Sequence, residues 1–189
     1  MPSAFRDALS DRVLIIDGAM GTSIHALELD LERHFLGLEN CSEIICQTAP
    51  QAIQGIHESF LAVGCDAVET NTFGANELVL AEFGIAEKTR ELNLAAVRAA
   101  RAACQLYSTL ERPRFVLGSM GPGTKLPTLG HIDYARLKSS YLTQARALAE
   151  GGVDAFLIET CQDPLQLKAA LNAAIQARGE TGTDIPLLV

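Results

Sequence analysis

The stretch DIPLLV (Asp184–Val189) reads as a β-strand: an acid and a proline give way to a short apolar run, and no helical pattern comes after it. Working back along the chain, four similar runs precede it, at Val13–Ile16, Ala67–Glu69, Phe115–Leu117 and Ala155–Ile158. Between them lie Pro50–Val63, Ala86–Tyr107, Asp133–Glu150 and Pro164–Arg178. These are Ala- and Leu-rich stretches with helical spacing, two of them opening on a proline suited to a first helical turn. Strand and helix alternate, which predicts parallel strands joined by right-handed crossovers, an α/β fold. The strands are apolar without polar alternation, as expected of a parallel sheet covered on both faces.

An open doubly wound sheet and a closed (β/α)8 barrel both carry that alternation. The final stretch separates them. A doubly wound domain would cover its last central strand with a helix, whereas a barrel takes about 250 residues and this chain of 189 stops inside a fifth strand. The expectation is a single domain over 1–189, the N-terminal part of a (β/α)8 TIM-type barrel with about five of its strands and four of its helices.

Composition narrows the function. With 48% hydrophobic residues the chain can bury a sizeable core. A formal charge of −8 speaks against a nucleic-acid or anionic-membrane surface, so a small molecule or a protein is the expected partner. The charged N-terminus does not resemble a secretory signal, and no apolar run approaches the roughly 20 residues that span a bilayer. Five scattered cysteines, Cys41, Cys46, Cys65, Cys104 and Cys161, fit reduced thiols in a cytoplasmic protein better than a disulfide framework.

The segments that leave the strands carry the most informative regularity: DGAMGT (Asp17–Thr22), ETNTFGAN (Glu69–Asn76), GSMGPGT (Gly118–Thr124) and ETCQD (Glu159–Asp163) are all small and polar. In parallel α/β folds ligands bind at the carboxyl ends of the strands, so these four loops point to one concave polar site. Two segments also echo each other. VGCDAVETN (Val63–Asn71) and GGVDAFLIET (Gly151–Thr160) share a helix-ending glycine, Asp-Ala, a strand and Glu-Thr. They read either as repeated βα units or as a junction that any helix–Gly–strand passage produces.

Asp17 stands where a strand stops. It is either a turn or cap aspartate, for which Asp and Gly are the usual residues, or a carboxylate that holds a substrate ammonium while the Gly18–Gly21 turn offers N–H groups to a substrate carboxylate. Glu159 leaves its strand at the same level. It is a second candidate carboxylate or a strand-end acid paired to a nearby base. Two such acids side by side would raise the pKa of one unless a cation lay between them. Glu69 is a third. The glycines of GSMGPG lack the phosphate-binding fingerprints and serve either a tight turn or close approach to a ligand. Cys41 and Cys46 lie outside metal-knuckle spacing, and Cys161 stands just past a strand end where it could line the site.

Taken in order, LIIDGAMGT, DAVETNTFGAN, GSMGP and GGVDAFLIET resemble the homocysteine S-methyltransferase domain over Arg12–Val189, with DGAMGT most similar to its cobalamin-dependent methionine synthase branch. The resemblance implies a (β/α)8 barrel that binds homocysteine, activates it as a zinc thiolate and methylates it to methionine. In that branch the methyl comes from methylcobalamin, recharged from methyltetrahydrofolate by cobalamin- and folate-binding modules of the same chain. Carried over by position, Asp17 and Glu159 match the acids that hold the amino group. Gly18, Ala19, Met20 and Gly21 match the turn that meets the carboxylate, and Glu69, Asn71 and Thr72 match a top-face loop beside the pocket.

The resemblance also implies zinc ligands in the later part of the barrel, three cysteines to which none of the five here corresponds. No metal ligand and no catalytic residue is therefore expected within these 189 residues, and the chain alone is expected to transfer no methyl group. Two alternatives stand beside this. One is a non-catalytic half-barrel that binds or assembles through its open edge. The other is a methyltransferase of the same family using betaine or S-methylmethionine.

Overall fold

The computed structural model describes residues 4–189. Four short helices come first: α1 (Ala4–Asp11), α2 (Met20–His25), α3 (Leu31–His34) and, after a 3-10 turn at Ser42–Ile44, α4 (Ile45–Thr48). Then α5 (Pro50–Ala62) leads to β1 (Ala67–Glu69), α6 (Glu77–Glu82) and α7 (Thr89–Tyr107) lead to β2 (Phe115–Met120), α8 (Tyr134–Gly151) to β3 (Ala155–Ile158), and α9 (Pro164–Thr181) to β4 (Leu187–Leu188). The strands form one parallel sheet in the order β1-β2-β3-β4, so successive strands are neighbours joined by helical crossovers.

Local chemistry sets the long helices. The Asp133 carboxylate accepts the Arg136 N–H at 2.8 Å to start α8, and Gly152 (φ 82°) stops it. Asp163 accepts the Leu165 N–H at 2.8 Å ahead of Pro164 to start α9, and Gly182 (φ 64°) stops it. Side-chain caps of this kind satisfy N–H groups that a helix end leaves open, and the left-handed stop suits glycine. The inward stripe of α9 is rich in alanine, with Ala169, Ala170, Ala173, Ala174 and Ala177 fully buried, which lets it pack closely.

The apolar strands cover two faces. Val68, Val116, Met120, Phe156 and Ile158 pack with Tyr141 and Leu148 beneath the helices. Ala67, Phe115, Leu117 and Ala155 face the other way, where the Phe5 ring of α1 meets Phe115 edge-on at 5.2 Å. Gly118 lies in β2 under α8, where a Cβ would come within 3.1 Å of Leu148.

Several expectations are corrected. Val13–Ile16 is not a full strand: it runs alongside β1 and makes a single parallel bridge, Ile16 to Ala67. Its far side carries no strand among the described residues, which leaves Val13, Ile15 and Ile16 at 85%, 59% and 42% exposure. The final strand shortens to Leu187–Leu188, and β2 runs on through Gly118, Ser119 and Met120, where the small residues Gly118 and Ser119 suggest a loop. The helix expected to open at Ala86 begins as a 3-10 turn, Ala86–Lys88, before α7. Helices α1 to α4 and α6 are additions to the expected pattern. Each has eight residues or fewer, too short for a helical period to stand out.

Candidate functional site

At the carboxyl ends of the strands a cavity of about 290 Å³ opens, near the lower end of small-ligand pockets. Ala19, Met20 and Gly21 line it from the start of α2, Ser42 and Glu43 from the 3-10 turn, Glu69, Thr70, Asn71 and Phe73 from the end of β1, Ser119 from β2 and Glu159 from the end of β3. The four segments expected to converge therefore contribute to one cavity.

The strand ends are knitted to one another. Thr70 and Thr72 hydroxyls lie 2.6 Å apart, Thr72 Oγ1 donates to the Ser119 carbonyl at 2.7 Å, and the Ser119 N–H donates to Thr70 Oγ1 at 3.1 Å. The loop after β1 is tied to the 3-10 turn by a pair of bonds. Asn71 Nδ2 donates to the Ser42 carbonyl, and the Gly74 N–H donates to Glu43 Oε1, both at 2.8 Å. Gly121 lets the loop after β2 cross that same loop: its N–H donates to the Phe73 carbonyl at 3.0 Å, and an added Cβ would sit 2.7 Å from that oxygen and from the Phe73 ring.

Three carboxylates, those of Glu43, Glu69 and Glu159, belong to the cavity wall, and no Lys, Arg or His among the described residues lines it. Burial pushes the Glu69 carboxyl up to about 7, with the charges of Glu159 and Asp17 adding to the effect. Glu43 is 6% exposed, and its burial likewise raises its pKa, only partly offset by N–H bonds from its own residue and Gly74 and by the Ser42 hydroxyl. Glu159 Oε1 accepts the Ser119 hydroxyl. Such a constellation is short of positive charge, and a bound cation would relieve the repulsion.

Of the residues singled out from sequence, Ala19, Met20, Gly21, Glu69, Asn71 and Glu159 are brought together on the cavity wall. Gly18 and Thr72 adjoin these residues in the chain without lining the cavity. Asp17 lies behind Glu69: its side chain is 3% exposed, Oδ1 accepts the Glu69 N–H at 2.8 Å, and Oδ2 is 3.6 Å from His57 Nδ1. Cys161 does not line the cavity. Glu43, Ser42, Thr70, Phe73 and Ser119 complete the wall without having stood out as candidates. Thr70, Phe73 and Ser119 lie within the strand-end segments that the sequence points to, whereas Glu43 leaves only a faint trace, a lone acid in the mostly apolar run CSEIIC (Cys41–Cys46).

The backbone around the cavity is strained. Ala19 caps α2 at φ 53° with no side-chain cap bond, and Thr160, next to Glu159, sits at φ 59°. Left-handed backbone is unusual for non-glycine residues and most so for a β-branched one, and it persists where the surrounding structure enforces it. The first N–H groups of α2, with no intrahelical acceptor, open beside this turn.

The described residues do not fit a metal ion. No group of three or more His, Cys, Asp or Glu side chains among them converges to hold one. Burial pushes the Cys41 and Cys46 thiols up to about 11 and about 12, which makes them poor thiolate donors. No helix among the described residues is long and apolar enough to cross a membrane.

Comparison with known proteins fits this geometry. Residues 14–189 match the family model for homocysteine S-methyltransferase. The chain is 47% identical over 181 residues to methionine synthase of Mycobacterium tuberculosis and 45% identical over 183 residues to that of Mycobacterium leprae. The matches cover 96% and 97% of this chain but 15% of each relative. Among solved structures it resembles the homocysteine methyltransferase MmuM from Escherichia coli in its metallated form (TM-score 0.75) and oxidized form (TM-score 0.74), each at 21% identity. Those likenesses cover 93% of this chain and 63% and 62% of MmuM, so the sheet and its helices correspond to part of a TIM barrel. The chain belongs to the homocysteine S-methyltransferase family.

Proposed function

We propose that this chain forms the amino-acid-holding part of a site that methylates homocysteine to methionine. The observation that carries the proposal is the cavity at the strand ends, where Glu43, Glu69 and Glu159 gather with no basic side chain of the described residues on the wall and Glu69 is held up at about 7. A ligand ammonium entering there favours the ionised form of Glu69 and bonds to Glu69 and Glu159, with the Asp17 charge behind them. The ligand carboxylate then meets the N–H groups at the Gly18–Gly21 turn where α2 begins. Together these contacts fix the amino-acid end of homocysteine and aim its sulfur out of the cavity, a positioning role.

Zinc and methylcobalamin belong to the proposal through the methionine synthase relatives, together with folate- and cobalamin-binding modules beyond the share of those relatives that this chain spans. The side chains of the described residues supply no zinc ligand set, so no step of the chemistry is assigned to them. The proposed setting is the cytoplasm.

The test compares homocysteine with 4-mercaptobutanoate, which lacks the amino group, as ligands of the full-length protein in calorimetric titration. Loss of the amino group's two charge-assisted contacts, each about 1.5–3 kcal/mol, predicts binding weaker by roughly 100-fold or more. Equal affinity for the two would remove the proposed role of the acids. A second reading, assembly through the sheet edge, is favoured by the exposure of Val13 and Ile15, since an unpaired apolar edge invites association. A concentration-independent monomer in sedimentation would discard it.

A further inference from the structure

We propose that His57 is a positioning residue of the cavity, acting on Glu69 through Asp17. His57 lies on the inner side of α5, fully buried, where the same helix otherwise buries Ile53, Ile56 and Leu61. Neither ring nitrogen has a hydrogen-bond partner among the described residues. An imidazole buried without partners costs free energy that an aliphatic side chain would not, so its packing alone gives no reason for a histidine.

The neighbouring carboxylate supplies the reason. His57 Nδ1 is 3.6 Å from Asp17 Oδ2, about half an ångström beyond a hydrogen bond. The Asp17 carboxylate is itself buried and spends its other oxygen on the Glu69 N–H at 2.8 Å. The chain of contacts therefore runs from the helix, through a carboxylate, to the main chain of the residue whose side chain enters the cavity. With His57 in place, Asp17 is held between two groups. Without it, Oδ2 loses the ring that stands beside it, the carboxylate is free to turn, and the point from which Glu69 leaves β1 loses its anchor.

This inference rests on the reading of the cavity as the ammonium end of a homocysteine site. The test is steady-state methyl transfer by the full-length protein with homocysteine varied, for the parent, His57→Leu, His57→Asn and Glu69→Gln. His57→Leu should raise the KM for homocysteine about tenfold, more than it lowers kcat, while melting no lower than the parent because it removes two unpaired polar atoms. His57→Asn places a donor near the Nδ1 position and should restore most of the KM. A folded His57→Leu with the parent's KM, alongside a raised KM in Glu69→Gln, overturns the role of His57. An unchanged KM in Glu69→Gln overturns the reading of the cavity, and this inference with it. If His57→Leu does not fold, His57→Met, which also lacks a donor, combined with Asp17→Asn decides: effects on KM that fall short of the product of the single effects support the contact, and effects that multiply overturn it.

Discussion

Glu69 concentrates the chemistry of the cavity in one side chain. Burial first, then Glu159 and Asp17, place its carboxyl at about 7, above the 4.5 of an ordinary glutamate. A carboxyl whose pKa is raised on folding favours the folded state below about 4.5 and loses that advantage as pH rises toward 7. Glu69→Gln, which cannot ionise, should therefore flatten that part of the stability–pH curve, measured by urea unfolding at pH 5 and pH 8. Binding of an ammonium near pH 7 should release a fraction of a proton, seen as a dependence of the calorimetric heat on the buffer's ionisation enthalpy. A heat independent of buffer would mean that no cation meets Glu69. Glu69 and Glu159 are legible in the sequence because a strand end fixes where an acid emerges. The direction in which Asp17 turns is not, because its carboxylate meets the Glu69 N–H of β1 and lies 3.6 Å from His57 of α5, groups 52 and 40 residues away in the chain. Glu43 is hidden for a similar reason: it reaches the site on a 3-10 turn with no periodic pattern to place it.

At the scale of elements, the echo between Val63–Asn71 and Gly151–Thr160 is a structural repeat. Asp66 and Asp154 each precede a strand, and each carboxylate accepts an N–H from the neighbouring segment, Ile15 at 3.0 Å and Val116 at 2.7 Å. Their own N–H groups donate to the carbonyls of those same residues, at 2.6 and 2.8 Å. Arginines complete both junctions, Arg12, Arg112 and Arg114 at Asp66 and Arg101 at Asp154. Burial pushes Asp66 up, but the Arg12 hydrogen bond, the Ile15 N–H and the charges of Arg12 and Arg112 outweigh it and leave the carboxyl at about 2. That contribution is whole above about pH 4 and is lost as pH falls through about 2. Asp66→Asn should thus cost about 2 kcal/mol at pH 7, with the gap from the parent closing in acid. At the opposite end of the sheet, Gly121→Ala drives a Cβ against the Phe73 carbonyl and should destabilise by roughly 1–3 kcal/mol in urea unfolding. The alternation of elements is legible from composition and spacing. The single bridge at Ile16 is not, because a strand's extent depends on what pairs with each of its edges.

For the molecule as a whole, the two ends of the sheet have different tasks. The amino ends are closed by paired aspartates and arginines that hold the strands, while the carboxyl ends gather acids without basic partners around a cavity. That polarity is what a parallel α/β fold offers, stability at one end and ligand binding at the other. The chain spans about 15% of its methionine synthase relatives, and the matching portion of MmuM is 62%. The central claim, that the acids at the carboxyl ends receive the ammonium of homocysteine, is tested most directly by the affinity of the full-length protein for homocysteine with both Glu69 and Glu159 changed to glutamine. Loss of two charge-assisted contacts predicts binding weaker by roughly 100-fold, with the fold intact by thermal melting. A folded double variant that binds homocysteine as tightly as its parent would contradict the account.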